Sequence, residues 1–190
     1  MLTVFILEYW RKINWKTVIS LSVLSLIWAN AHASFFLLTG ILAAYVLGSL
    51  VAEKLSQRWT GYQPAGWVLN GQERRKLSVA GVISLVTPLL TPNGWWTFIY
   101  PLRISLGKFT VYISEYQKYW NVWHGNFNDY VHGFTLVLIL VMLGLFGVSL
   151  RRLNPADVML GAFFTALALV AVRHVAIFAL VALLLIAKYI

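Results

Sequence analysis

Residues 17–52, TVISLSVLSLIWANAHASFFLLTGILAAYVLGSLVA, carry no formal charge. As one α-helix rising about 1.5 Å per residue the stretch would be about 54 Å long, longer than the roughly 40–45 Å of a bilayer with its headgroups. It must therefore break, and the polar side chains mark where, at Asn30-Ala31-His32. Lys16 stands before the stretch and Lys54 after it, so it reads as a hairpin of two membrane helices with both basic ends on one side. The fold class predicted is all-α, a polytopic transmembrane helix bundle.

The rest of the chain repeats the pattern. Its 190 residues are 60% hydrophobic and 11% charged, where soluble domains carry roughly 25% charged residues. Apolar runs at about 17–30, 32–52, 77–91, 133–150, 157–172 and 174–190 predict about six membrane segments in a single domain. A polar cytoplasmic loop, 53–76, holds the turn-forming GYQPAG, and RRLNPAD (151–157) reads as a turn followed by a helix start. The extracytoplasmic loop, 92–132, is crowded with aromatic residues. Eleven of the fifteen Lys and Arg residues fall on the side of Lys16; Arg103, Lys108, Lys118 and Arg173 fall on the other. The basic side is therefore cytoplasmic, and the chain is placed as a multi-pass protein of the cytoplasmic (inner) membrane. A net charge of +9 invites a nucleic-acid reading. The basic residues instead sit in short clusters between apolar runs with no nucleic-acid signature, so no nucleic acid is expected as a partner.

With that layout all four histidines, at 32, 124, 132 and 174, fall on the extracytoplasmic side together with Asn93, Glu115, Asn121 and Asp129. Asn30 and His32 lie at the tip of the first hairpin, and Arg173-His174 at the junction of the last two segments. Ionisable groups at membrane depth are costly and face a protein interior or a wet cavity. The four residues are therefore expected to line one outward pocket, where the planar guanidinium would suit a phosphate or pyrophosphate. The same residues could equally hold helices together by hydrogen bonds or sit among headgroups. In the outer loop, FTVYISEYQKYWNVW (109–123) repeats Tyr and Trp at helical spacing. It reads as an interfacial helix anchored at headgroup level, or as an aromatic platform for a sugar or lipid-linked substrate.

Other chemistries find no signal. There is no cysteine, no HExxH or DxD, no phosphate-binding glycine loop and no GxSxG, so neither a metal nor a cofactor is expected. No inverted repeat marks a transporter. Gly40, Ala44 and Gly48 form a small-residue series suited to packing helix on helix.

Four stretches in order carry a resemblance. LIWANAHASFFLLTG is similar to a W-A-N-L-H-G-G-F motif, LLTPNGWW to L-N-P-Y-G-W, ISEYQ to I-x-E-W-Q, and VRHVAIFAL to R-H-I-P-L-F-A. Together they resemble bacterial integral membrane proteins related to the C-fold (GT-C) glycosyltransferases. Ala31, Ala33 and Ser34 replace a leucine and two glycines, Thr91 an asparagine, Tyr116 a tryptophan and Ala176 a proline; Asn30, His32, Gly94, Glu115, Arg173 and His174 match. The resemblance implies a polytopic enzyme that takes a sugar from a polyprenyl-phosphate donor outside the membrane by direct displacement at the anomeric carbon. Asn30, His32, Arg173 and His174 would contact the anionic donor, and Glu115 would line the acceptor side. It aligns the chain with the middle or second half of a larger architecture, MLTVFILEYWRK resembling the cytoplasmic end of a mid-protein helix. The family's usual catalytic aspartate would lie upstream, which leaves the catalytic residue of this chain unknown. The competing expectation is a non-catalytic integral membrane subunit of a larger complex, whose polar residues bind lipid or a partner helix.

Overall fold

The computed structural model describes residues 12–32, 34–106 and 127–190, together with Thr3 and Leu7. Among the described residues there are helices and turns and no strand. Among the described residues from 12 onward seven α-helices follow one another: α1 (Trp15–Ala31), α2 (Phe36–Arg58), α3 (Gly71–Val86), α4 (Trp96–Leu106), α5 (Phe127–Val148), α6 (Pro155–Val170) and α7 (Val175–Tyr189). Short 3-10 turns, Thr87–Leu90 and Val172–His174, follow α3 and precede α7. Among the described residues three stretches are long and apolar enough to cross a membrane: Phe36–Arg58, Tyr130–Val148 and Val172–Tyr189. The chain is an all-helical, membrane-associated protein.

Asparagines start three of these helices. Asn14 accepts from the backbone N–H of Thr17 at 2.9 Å, Asn70 from that of Glu73 at 3.0 Å, and Asn154 from that of Ala156 at 3.0 Å. Each satisfies an amide that the first helical turn cannot pair. Pro155 then fits the first turn of α6, where no hydrogen bond is lost to its missing N–H. The helices overrun the apolar segments: α2 continues to Arg58 and α3 begins at Gly71, so the polar connection between them narrows to residues 59–70. Charged side chains are tolerated there because helix ends emerge from the hydrocarbon and long side chains reach water. The aromatic stretch 109–123, expected as an interfacial helix, lies outside the described residues.

In packing order the bundle runs α1, α3, α2, α6, α7, α5. Leu38, Leu77, Ala80, Ala168, Phe178 and Ala182 are fully buried along these seams. Ile19, Val23 and Ile27 on α1, Val137 and Leu140 on α5, and Leu183 and Leu184 on α7 are exposed. Helices that are apolar inside and out are stable only where the outer surface meets lipid. The small-residue series on α2 packs against α6: a Cβ at Gly40 would collide with the ring of Phe163, and one at Gly48 with the backbone of Ala156. The contacts also set directions. Gly40 lies beside Phe163 and Gly48 beside Ala156, so α2 and α6 are antiparallel.

Hydroxyls tie the other side of the bundle. Ser25 of α1 lies 2.7 Å from Thr87, and Thr39 of α2 lies 2.7 Å from Ser84 of α3. Interhelical bonds of this kind contribute on average about 0.6 kcal/mol each in a membrane. Ser25→Ala and Thr39→Val should therefore each lower the thermal unfolding midpoint in detergent slightly. Ser22→Ala, which removes a bond to Val18 O within α1, is the control. Equal midpoints for all three variants would assign these hydroxyls no role in docking the helices.

Candidate functional site

One end of the bundle gathers the 32–35 turn, the turn after α3 and the Val172–His174 turn. At the first, α1 stops because His32 adopts extended dihedrals, its N–H still donating to Trp28 O at 2.8 Å. The His32 ring then caps the turn it creates, with Nδ1 accepting from the Ser34 N–H at 3.0 Å and lying 2.6 Å from Ser34 Oγ. With Nδ1 turned inward, Nε2 is left for solvent or a ligand. Asn30 is exposed and donates through Nδ2 to Leu26 O at 2.8 Å, which leaves its amide oxygen available. The helix of Asn30 is thus locally satisfied, and the polar residues at the hairpin tip need no partner across the bundle to be tolerated.

Arg173 and His174 share the turn that begins α7. Arg173 Nε donates to His174 Nε2 at 3.4 Å, and His174 is buried. His32 and Arg173 both lie within electrostatic range of the His174 imidazole. His32 at the hairpin tip and the Arg173-His174 pair, from opposite ends of the sequence, therefore lie at the same end of the bundle, and Asn30 stands two residues before His32. Glu115, the fifth expected site residue, lies outside the described residues, as do His124, Asn121 and the tyrosines of 109–123. His132 on α5 is buried.

A cavity of about 450 Å³ opens in front of the hairpin tip. Asn30 and His32 form one wall; Asn93, Trp96, Thr97 and Tyr100 form the other, while Arg173 and His174 are absent from the lining. The second wall depends on a tight turn after Pro92. Gly94 there has φ +49, a left-handed conformation that glycine adopts without a steric penalty. Thr91 Oγ1 lies 2.7 Å from Thr97 Oγ1 across the turn. Phe98 meets Phe35 edge to face, ring centres 5.6 Å apart, which docks α4 against the 32–35 turn. Trp96 and Tyr100 were hidden in the sequence as part of a generally aromatic segment. Only the docking of α4 distinguishes them.

The opposite end holds a buried polar cluster that the apolar reading of 157–172 passed over. Asp157 is 1% exposed. Lys188 Nζ lies 2.9 Å from one of its oxygens, and the Tyr189 hydroxyl donates to the carboxylate at 2.6 Å. That hydroxyl also accepts from the Asn154 N–H at 2.8 Å, while Asn154 Nδ2 donates to Ala65 O and Trp67 O at 3.2 and 3.1 Å. Tyr62 donates to Leu153 O at 2.8 Å. Burial, and secondarily the charge of Asp157, pushes the Tyr62 hydroxyl above its ordinary pKa, so it remains a donor. The Asp157 contacts join the start of α6 to the end of α7, and those of Asn154 and Tyr62 fasten the 59–70 connection over them. Among the described residues no cluster of His, Asp and Glu has the grouping a metal ion needs.

Compared with protein-family models, curated proteins and solved structures, the chain matches none of them.

Proposed function

We propose that the chain is the membrane module of a glycosyltransferase-like protein that handles a polyprenyl-phosphate-linked sugar at the extracytoplasmic face of the cytoplasmic membrane. In this reading α1, α2, α3, α5, α6 and α7 are six membrane segments and the His32 end faces outward. Exposed Arg58, Arg75, Arg151 and Arg152 at the other end support that orientation. The observation that carries the proposal is that His32, which lines a polar cavity, and the Arg173-His174 pair lie at one end of an apolar bundle. A guanidinium beside an imidazole suits the oxygens of a phosphate held at the membrane surface. In a transfer step the acceptor hydroxyl oxygen bonds to the anomeric carbon as the bond from that carbon to the phosphate oxygen breaks. The electron pair leaves with the phosphate, and the hydroxyl proton passes to a carboxylate. Arg173 would bind the departing charge, and Glu115 would line the acceptor side.

Binding of polyprenyl monophosphate to the chain in nanodiscs tests this. Removing a charge-assisted contact costs roughly 1.5–3 kcal/mol, so Arg173→Ala should weaken binding by about tenfold or more. Arg173→Lys should recover part of the loss, keeping the charge without the fork. Equal affinity of wild type and Arg173→Ala would overturn the proposal. Stable co-purification with a larger integral protein, with no polyprenyl-phosphate binding by either, would favour the non-catalytic subunit.

A further inference from the structure

The geometry points to the cavity between the hairpin tip and α4 as the seat of a neutral, hydroxyl-rich sugar ring, stacked on Trp96 and Tyr100. This deepens the proposed function, on which it rests only for the neighbouring phosphate. Trp96 and Tyr100 are four residues apart on α4, and so share one face. They are 61% and 60% exposed; neither contributes to the core. Phe98, between them, points the other way into Phe35 and fixes the rotation of the helix. Two large aromatic surfaces are thereby held open toward the cavity instead of folding onto the protein.

The facing wall has the complementary chemistry. Asn30 offers its amide oxygen, Asn93 is exposed and offers an amide, and His32 offers Nε2, all groups that exchange hydrogen bonds with hydroxyls. No Lys, Arg, Asp or Glu is among the described residues that line the cavity. Among the described lining residues a phosphate finds no counter-charge, whereas a sugar ring needs none. Its C–H face is attracted to the electron-rich faces of indole and phenol, and its hydroxyls reach the amides. The volume of about 450 Å³ falls within the roughly 300–1,000 Å³ of small-molecule sites. A division of labour follows: Arg173 takes the charge, and the cavity takes the ring.

Saturation-transfer NMR of the chain in nanodiscs, with methyl glucoside, mannoside, galactoside and N-acetylglucosaminide as probes, tests the assignment. At least one glycoside should receive saturation on its ring protons. Its affinity should fall by about tenfold in Trp96→Ala or Tyr100→Ala and stay near wild type in Trp96→Phe. Because both side chains are exposed, the variants are expected to fold, and size-exclusion profiles check it. Saturation that is absent, or equal in wild type and Trp96→Ala, overturns the sugar seat. Intact, Arg173-dependent binding of polyprenyl monophosphate in the same samples would then leave the proposed function standing. Conversely, Trp96-dependent glycoside binding without any polyprenyl-phosphate binding would keep the sugar seat and overturn the donor reading. Displacement of the glycoside by a polyprenyl-phosphate sugar assigns the ring to the donor; simultaneous binding assigns it to the acceptor.

Discussion

Asp157→Ala is expected to destabilise the protein by about 3–5 kcal/mol, the range for breaking a buried ion pair from one side. Asp157 is almost wholly buried, and it holds Lys188 at 2.9 Å and the Tyr189 hydroxyl at 2.6 Å. Removing the carboxylate leaves the Lys188 ammonium without its counter-charge near an apolar bundle. The Lys188 side chain retains 20% exposure and can lean toward water, which places the loss toward the lower end of the range. The damage also spreads. Tyr189 accepts from Asn154, and Asn154 holds the carbonyls of Ala65 and Trp67, so one substitution loosens three segments. Lys188→Ala should be comparably harmful, since it removes the cation that lies 2.9 Å from the buried carboxylate. Asp157→Leu combined with Lys188→Met should recover most of the stability, because an apolar pair of similar size often replaces a buried ion pair at little net loss. Thermal unfolding in detergent distinguishes the cases. A double variant as unstable as Asp157→Ala would mean that the charges themselves are not the source of the effect.

The hairpin and the membrane character were legible because they depend on quantities a single sequence carries: the length of an uncharged run, the polar interruption inside it, and the lysines on either side. Helix starts at Asn14, Asn70 and Asn154 follow local hydrogen-bond chemistry, yet only Asn154 was read as one. Asn14 and Asn70 fall within polar stretches where a hydropathy reading looks for a loop. That His32 and the Arg173-His174 pair share one end of the bundle was anticipated from the membrane face they share, a constraint the bilayer imposes on residues far apart in sequence; the cavity there is lined by Asn30 and His32 without Arg173 and His174. Two features were not legible. Asp157 reads as a favourable first-turn acid on α6, and nothing local indicates that Lys188 and Tyr189 return to it from the far end of α7. Trp96 and Tyr100 read as two aromatics among many; their common exposure toward His32 depends on Phe98 docking onto Phe35, a tertiary contact without a periodic signature.

Gly48→Val should be the most damaging substitution along the α2–α6 seam, costing about 3 kcal/mol, the upper end of ordinary overpacking. A Cβ at this position would overlap the Cα and N of Ala156 and come within 2.7 Å of its Cβ. Backbone cannot rotate aside as a side chain can. Nor is α6 free to withdraw, because Ala156 lies inside the turn that Asn154 caps and that Asp157 ties to α7. Even Gly48→Ala should be destabilising, although alanine improves intrinsic helix propensity by about 1 kcal/mol. Gly147→Ala is the control, since a Cβ there meets nothing within 4 Å and the propensity gain is unopposed. Gly40→Ala should fall between them, its Cβ striking only the far edge of the Phe163 ring, which can turn. The decisive comparison is Gly48→Ala with and without Ala156→Gly, measured by thermal unfolding. If the obstacle is the backbone of α6, removing the Ala156 methyl restores little of the lost stability. Full recovery would locate the clash in the side chain alone, and would show that the two helices can settle closer than the Asn154–Asp157 cluster is here held to allow.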